Sequence, residues 1–197
     1  NVTYEPLSGT SVSRDFVELP SQLFEHWLTV PEVLKRFAVH HKTKSPIPEN
    51  LIERIIGASN YDMGFQTVEY TSSALVDLYF HLEDTEKDVM ELQNEILSTI
   101  GLPEAIKMRH ATPHFAHVFS GGYYAAAYYS YMWSEVMDAD AFSAFEELDN
   151  PFDADLAKSL EDNILSKGNS IDPEIAYKRF RGSLPKVDAL LRGRGLI

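Results

Sequence analysis

The residues best able to do chemistry are concentrated in one stretch, residues 114–133, which reads HFAHVFSGGYYAAAYYSYMW. It contains two of the seven histidines, the glycine pair Gly121-Gly122, and five of the ten tyrosines: Tyr123, Tyr124, Tyr128, Tyr129 and Tyr131. A buried tyrosine needs a partner for its hydroxyl, so such a cluster costs stability unless the hydroxyls are used. The glycines permit positive φ and let another backbone approach closely. This composition is typical of a site that holds a peptide and stabilises an oxyanion, and equally of an aromatic-rich buried helix that follows a glycine turn.

Glu18 is a second candidate for chemistry. It lies in residues 14–22, RDFVELPSQ, where its immediate neighbours are mostly apolar. A carboxylate in apolar surroundings needs a cation or a metal ion as a partner. Two partners are open for Glu18: an arginine, for which Arg14 is the nearest candidate, or a metal ion.

Composition excludes several classes of protein. The chain has 197 residues, of which 44% are hydrophobic and 12% aromatic, so it is globular and long enough to bury a core. Its formal charge of −13 argues against nucleic acid as a partner. The absence of cysteine excludes disulfides, thiolate metal ligands and a cysteine nucleophile. No apolar run reaches the ~18 residues of a membrane span, so we expect no membrane partner and a cytoplasmic location.

Helical periodicity dominates the rest of the chain, and no convincing alternation of period two is present. The spacing of apolar residues and the positions of Pro, Gly and Asp predict helices over residues 21–29, 31–41, 48–58, 63–82, 84–100, from about 125 towards 145, 153–167, 173–180 and 185–191. The predicted fold class is therefore all-α, a multi-helix array whose loops carry the chemistry, and we treat residues 1–197 as a single helical region.

Local signals predict further details of these helices. His40 and His41 are expected to end the second helix, where cationic side chains are favoured. Asp84 or Thr85 is expected to cap the fifth helix. The residues of the third helix expected to face inward are Leu51, Ile52, Ile55 and Ile56. If a helix begins near residue 125, Tyr128 and Tyr131 lie on one of its faces.

Taken together, residues 14–22 and 114–133 resemble two motifs of the M3 family of zinc metallopeptidases, which includes oligopeptidases and peptidyl-dipeptidases. The resemblance continues along the chain through LSGTSVSRDFVELPSQ, ILSKGNS and KRFRGSLPKVDALL. It implies a mainly helical catalytic domain of the neurolysin-like zincin type, with a deep channel that admits short peptides. It also implies hydrolysis of those peptides by a water molecule that zinc activates.

The resemblance also implies roles for single residues. In the family, zinc is held by two histidines of a His-Glu-x-x-His helix and by a later glutamate, which corresponds to Glu18. The histidine that contacts the substrate backbone corresponds to His117. The tyrosine that hydrogen-bonds the carbonyl oxygen as it becomes an oxyanion corresponds to Tyr131.

The loop between these residues leaves one assignment open. The family has a second catalytic tyrosine near the glycine pair, and spacing from the preceding histidine favours Tyr123. Counting back from the last tyrosine of the motif favours Tyr124 instead. Gly121, Gly122 and Tyr128 are expected to contact substrate.

The sequence departs from the family in one decisive respect, because none of its seven histidines is followed by glutamate. His110 and His114 have a spacing of four, but Pro113 interrupts any helix there and no glutamate lies between them. We therefore expect a C-terminal part of a peptidase catalytic domain that binds no zinc and has no activity by itself, with zinc present in the full-length enzyme. Its expected partners are short peptides and the N-terminal part of the same protein, together with self-association through apolar surface.

Two other interpretations remain at this point. The chain could be a non-catalytic helical module that binds peptides or a partner subunit. A weaker alternative is an independent metal site built from His110, His114 and His117, against which Pro113 counts.

Overall fold

The computed structural model describes residues 1–82 and 87–197, and the secondary structure of these residues is helical. The all-α prediction is confirmed: within the described ranges the extended backbone pairs only at an isolated antiparallel bridge between Val39 and Pro46. The α-helices of this part of the chain are α1 (Leu19–Glu25), α2 (Pro31–Phe37), α3 (Glu49–Ala58), α4 (Met63–Leu82), α5 (Val89–Thr99), α6 (Ala116–Phe119), α7 (Ser130–Glu147), α8 (Ala154–Leu160), α9 (Pro173–Arg181) and α10 (Asp188–Gly193). Shorter 3₁₀ segments cover Glu5–Leu7, His26–Thr29 and Thr112–His114, and a π-helical turn covers Glu161–Leu165. In the described part of the chain, no helix is both long and apolar enough to cross a membrane.

The chain forms two compact units. The first consists of residues 1–61 and 132–197, and the second of residues 62–131. The boundary falls within α7, just after Tyr131. Each unit has its own buried apolar cluster.

Proline and aspartate define where several helices begin. Pro31 and Pro173 are the first residues of α2 and α9, where the missing backbone N–H costs nothing. Asp172, Asp153 and Asp88 cap α9, α8 and α5, each accepting hydrogen bonds from backbone N–H groups of the first turn. These local signals are why most helices lie where the sequence predicts them.

The core of the first unit joins α1, α7, α9 and the α8 region. Its buried members are Phe16, Leu19, Leu23, Met137, Ala141, Phe145, Leu160, Ile164, Ala176, Tyr177 and Phe180. The cluster brings the start of the chain, where Glu18 lies, against the long helix α7. Burying each large apolar side chain contributes about 1.5–3 kcal/mol.

The core of the second unit forms where α4 packs against α5 and the segment that follows it. Its buried members are Val76, Leu92, Ile96, Leu97, Met108, Phe115 and Val118, and Tyr128 packs against them. This cluster therefore anchors both ends of the histidine- and tyrosine-rich stretch.

Two predictions about the early helices are wrong. In α3 only Ile52 is buried, whereas Leu51, Ile55 and Ile56 are 38–47% exposed. The helix α2 ends at Phe37, because Ala38 leaves the helical region and the bridge at Val39 turns the chain away. His40 and His41 thus lie beyond the helix, and Nδ1 of His40 accepts a hydrogen bond from the N–H of Thr43.

The helix α5 begins later than the sequence predicts, at residue 89 instead of residue 84. Asp84 and Thr85, the predicted caps, lie outside the described residues. The helix begins at Val89, where Asp88 accepts hydrogen bonds from the N–H groups of Met90 and Glu91.

The prediction that a helix begins near residue 125 is also wrong, since α7 begins at Ser130. Ala126 has φ of +54°, a left-handed conformation that no right-handed helix can contain. Tyr128 therefore precedes the helix, and Tyr128 and Tyr131 do not share a helix face. Their rings are in contact because the loop places Tyr128 beside the first turn of α7.

Candidate active site

The histidine- and tyrosine-rich stretch folds as a short helix, a loop and the start of a long helix. His117 lies on α6, residues 120–129 form a loop that contains two turns, and Tyr131 lies in the first turn of α7. Gly121 has φ of +145°, which side chains disfavour. Its conformation and that of Ala126 let the loop reverse between the two helices.

This reversal brings Tyr131 against His117. The Tyr131 hydroxyl lies 3.2 Å from Nε2 of His117, within hydrogen-bond distance, and both side chains are half-buried. Either group can donate, depending on which ring nitrogen carries the hydrogen. Two polar groups with donor capacity are thus held side by side.

Two further phenol rings surround the imidazole of His117. The ring of Tyr124 meets it edge-on at 4.9 Å between centroids, and the ring of Tyr128 at 5.6 Å. Tyr128 also packs edge-on against Tyr131 at 5.5 Å. Tyr123 contacts the ring of Tyr124 and is 59% exposed. Of the two candidate companions, Tyr124 therefore has a ring contact with the histidine.

Tyr128 packs against several other aromatic rings as well. Its ring packs edge-on against Phe115 and His110, at 4.9 and 6.0 Å, and stacks on Tyr70 at 5.3 Å. Burial raises the pKa of Tyr128 above its ordinary value, and the neighbouring Tyr131 raises it further. The phenol therefore stays protonated at neutral pH and retains its hydrogen-bond donor.

His110 borders the same cluster. Its ring stacks on Phe115 at 5.0 Å, and Nδ1 lies 3.3 Å from the hydroxyl of the buried Ser73. Burial lowers the pKa of His110, and the positive charge of Arg109 lowers it further. The ring is therefore neutral at pH 7 and serves as an apolar wall behind Tyr128.

Glu18 belongs to the first unit, where it occupies the position before α1. The carboxylate accepts a hydrogen bond from the hydroxyl of Ser21, with 2.7 Å between Oε2 and Oγ. Its side chain is half-buried. The Glu18 carboxylate is therefore oriented by a residue of the helix that it precedes.

Comparison with known sequences identifies the family. The sequence model of peptidase family M3 matches residues 1–196. The chain belongs to peptidase family M3. It is 39% identical over 198 residues to the dipeptidyl carboxypeptidase of Escherichia coli (strain K12), a match that covers 98% of this chain and 29% of that protein.

Other relatives have similar coverage. Identity to oligopeptidase A of Escherichia coli (strain K12) is 38% over 194 residues, or 96% of this chain and 28% of that protein. Identity to the thimet-like oligopeptidase of Dictyostelium discoideum is 33% over 199 residues, or 99% of this chain and 29% of that protein. The chain thus spans less than a third of the length of these relatives.

The resemblance of this M3 chain to zinc enzymes raises the question of which of its residues fit a metal ion. Among residues 1–82 and 87–197, no group of three or more histidine, aspartate or glutamate side chains lies close enough together to hold one. His110, His114 and His117 all fall within these ranges, so they do not form the metal site considered as the weaker alternative. Glu18 offers a single carboxylate, and zinc sites in proteins use three or four ligands. The described residues of this chain thus do not fit a complete zinc site.

Sequence reasoning missed the residues of α4 that contact the loop of this M3 chain. Tyr70 and Asp77 hydrogen-bond to Tyr128 of the loop, His81 pairs with Asp77, and none of the three was singled out. A signal was present, because an aspartate and a histidine four residues apart lie on one face of a long helix that is rich in apolar residues. Polar residues on such a face need partners from another element.

Proposed function

We propose that this chain forms the substrate-facing part of a zinc-dependent oligopeptidase that hydrolyses short peptides. Membership of peptidase family M3 supports the reaction class. The observation that carries the proposal is the pairing of the Tyr131 hydroxyl with Nε2 of His117 at 3.2 Å. When Nε2–H of His117 donates to the Tyr131 oxygen, the phenolic hydrogen of Tyr131 can be directed at a peptide carbonyl.

In this proposal, Tyr131 binds the carbonyl oxygen of the scissile peptide bond, and His117 contacts the substrate backbone beside it. As the carbonyl carbon becomes tetrahedral, its oxygen gains negative charge, and a fixed phenol or imidazole N–H stabilises that charge without reorganising. Removal of one such donor typically lowers kcat by about 10²–10³-fold. The half-buried setting of both side chains favours this role, because weaker solvation strengthens the hydrogen bonds.

The remaining candidates line the approach to this pair. We assign Tyr124 as the companion donor, since its ring contacts His117. Gly121 and Gly122 leave room for a peptide backbone, because a Cβ built on either would meet nothing within 4 Å. Tyr128 forms the wall behind the pair.

Glu18 is proposed as a zinc ligand of the complete enzyme. The supporting features are its place in the RDFVE motif and its half-buried carboxylate, oriented by Ser21. One carboxylate alone does not hold zinc with useful affinity, and the 197 residues contain no His-Glu-x-x-His. We accordingly propose that this chain, taken alone, binds no zinc and is inactive. We place the enzyme in the cytoplasm, acting on short peptides.

The test combines metal analysis with cleavage of a quenched-fluorescent peptide. Both are measured on this chain and on the longest translation product of the gene that includes it. The expected result is about one zinc and cleavage in the longer product, as for a catalytic site with three protein ligands, and neither in this chain. A longer product with neither zinc nor cleavage would overturn the proposal and favour the non-catalytic peptide-binding module.

Variants of the longer product separate the proposed roles. Glu18→Gln should lower zinc content, because an amide is a weaker ligand than a carboxylate. Tyr131→Phe should retain zinc and lower kcat by about 10²-fold. Tyr129→Phe is the matched control, since this neighbouring tyrosine is exposed and was assigned no role.

A further inference from the structure

The helix α4 holds the backbone of the loop that carries the candidate tyrosines. Asp77 lies in the C-terminal half of this helix, and its side chain is 1% exposed. Oδ1 accepts a hydrogen bond from the N–H of Ala126 at 3.0 Å, and Oδ2 accepts one from the N–H of Tyr128 at 2.8 Å. A single buried carboxylate thus binds two backbone groups of the loop.

His81, one turn further along α4, completes the environment of this carboxylate. Its Nδ1 lies 2.9 Å from Oδ1 of Asp77 and 2.8 Å from the carbonyl oxygen of the same residue. Both neighbours are acceptors, so Nδ1 must carry a hydrogen. The N–H of Ala126, 3.3 Å from the same nitrogen, therefore donates to the carboxylate rather than to the ring.

Tyr70, two turns before Asp77 on the same helix, binds Tyr128 at its carbonyl group. Its hydroxyl donates to the carbonyl oxygen of Tyr128, and the two rings stack at 5.3 Å. The N–H and the C=O of Tyr128 are both bound to α4. Rotation of that residue is therefore restrained from two points.

The hydrogen bonds from α4 hold Tyr128, whose ring lies next to the proposed catalytic pair, His117 and Tyr131. The ring of Tyr128 packs against both His117 and Tyr131, so a shift of the loop would change how those two rings meet. Ala126 occupies a left-handed conformation that is unfavourable for an alanine. The hydrogen bond to Asp77 offsets this cost and holds the loop in its reversed form.

We propose that Asp77 is a positioning residue of the peptidase: with Tyr70 and His81, it holds residues 126–128 so that the Tyr131 hydroxyl stays within reach of His117. The inference rests on the proposed function for its consequence in catalysis, and on the contacts of α4 for its structural content. A carboxylate is suited to the task because it can accept two N–H groups at once. An amide would place its NH₂ group against one of them.

The first test measures amide hydrogen exchange in this chain by NMR. In Asp77→Asn, the amides of Ala126 and Tyr128 should exchange about tenfold or more faster, because a hydrogen bond to a charged group is lost. Asp88→Asn is the matched control, since Asp88 also accepts from two backbone N–H groups but caps α5. Unchanged exchange at Ala126 and Tyr128 in Asp77→Asn, or equal acceleration in Asp88→Asn, would overturn the proposal.

A second readout reports the catalytic pair itself. The imidazole ¹⁵N shifts of His117 are recorded in the wild type and in Tyr131→Phe, which removes the hydroxyl partner. In Asp77→Asn they should move towards the Tyr131→Phe values, whereas in Asp88→Asn they should stay at the wild-type values. If Asp77→Asn does not fold, Tyr70→Phe decides, since it removes one hydroxyl and leaves the ring stacking in place. If Tyr70→Phe folds and its His117 shifts equal those of the wild type, the proposal that α4 positions the loop is overturned.

The last readout is cleavage by the longest translation product that includes this chain. Asp77→Asn should lower kcat by about tenfold while KM changes little, because the donors are misplaced and substrate contacts remain. Absence of cleavage in the unsubstituted product would overturn the proposed function alone. Exchange at Ala126 and Tyr128 and the His117 shifts would still decide the positioning role.

Discussion

The Tyr131 hydroxyl lies 3.2 Å from Nε2 of His117, although the two residues are fourteen positions apart. Each side chain is on a helix, but the contact depends on the loop between α6 and α7. A helix that began near residue 125 would have no such reversal before Tyr131. The pair is therefore a product of the loop conformation, and a substitution that displaces the loop should also lower kcat.

The identity of the companion tyrosine is the first prediction. Tyr124→Phe should lower kcat of the longest translation product by about 10²-fold, because its ring contacts His117 and we propose its hydroxyl as the companion donor. Tyr123→Phe should remain close to wild type, since that side chain is 59% exposed. Steady-state cleavage of a quenched-fluorescent peptide checks both variants. The reverse order of effects would assign the role to Tyr123.

The glycine pair provides a second prediction through two adjacent substitutions. Gly121→Ala should lower the free energy of unfolding by about 1–3 kcal/mol, because φ of +145° is strained for any residue with a Cβ. Gly122→Ala should leave it nearly unchanged, since Gly122 does not have positive φ and a Cβ there would meet nothing within 4 Å. Urea unfolding of this chain measures both. Equal losses would show that the conformation of Gly121 does not require glycine.

Gly122→Ala also tests whether the loop contacts substrate, since we expect this variant to keep its stability. If a peptide backbone passes close to the loop, the added methyl of Gly122→Ala should raise KM of the longest translation product while leaving its stability unchanged. Peptide titration of that product checks this outcome. An unaltered KM would place the substrate away from Gly122.

Local signals in the sequence were sufficient for much of the fold. Capping aspartates and prolines at the first helical position act within a few residues, so the start of α9 at Asp172 and Pro173 could be predicted. The π-helical turn after α8 still ends before Gly168, as the periodicity indicated. Such features need no knowledge of distant contacts.

The loop could not be predicted in the same way. Alanine at 126 favours a helix by its intrinsic propensity, and its left-handed conformation depends on Asp77, which is distant in sequence. The exposed apolar face of α3 also departs from the rule that periodic apolar residues point inward. His117 and Tyr131 were identified by resemblance, but their contact required the coordinates.

The buried carboxyl of Asp138, paired with His26, predicts how stability depends on pH. Oδ1 of Asp138 lies 2.7 Å from Nε2 of His26, and Oδ2 is buried without a hydrogen-bond partner among the described residues. Burial raises the pKa of the Asp138 carboxyl above its ordinary value; the hydrogen bond from His26 opposes this rise, and nearby Glu135 and Glu25 add to it.

A raised pKa means that the folded state holds this proton more tightly than the unfolded state. The associated stability is complete below the ordinary aspartate pKa and is lost as pH rises through the folded value. Asp138→Asn keeps an uncharged acceptor for His26. As pH rises from about 4 towards 7, the free energy of unfolding of this variant should therefore increase relative to that of the wild type. Urea unfolding across this range measures the difference. Asp155→Asn, at an exposed site, controls for the loss of one negative charge, and a difference that narrows with pH would contradict the prediction.

Tyr177 supplies the last prediction, in the core of the first unit. Its hydroxyl is 2.8 Å from Oδ2 of Asp140 and 2.9 Å from the carbonyl oxygen of Met137, and the side chain is almost fully buried. Tyr177→Phe should lower the free energy of unfolding by about 1–3 kcal/mol, because a hydrogen bond to a buried acceptor is lost. The cost stays within this range because Asp140 retains Arg181 as an ion-pair partner.

The pH dependence of this loss provides a second check. Burial raises the pKa of Tyr177 far above its ordinary value, and the hydrogen bond to Asp140 raises it further. The unfolded chain therefore releases the phenolic proton first, and the advantage of the wild type over Tyr177→Phe should shrink as pH rises above about 10. Tyr4→Phe, at an exposed position, should change stability by less than about 0.5 kcal/mol and is the control. An advantage that persists undiminished above that pH would mean that the Tyr177 hydroxyl is not the group responsible.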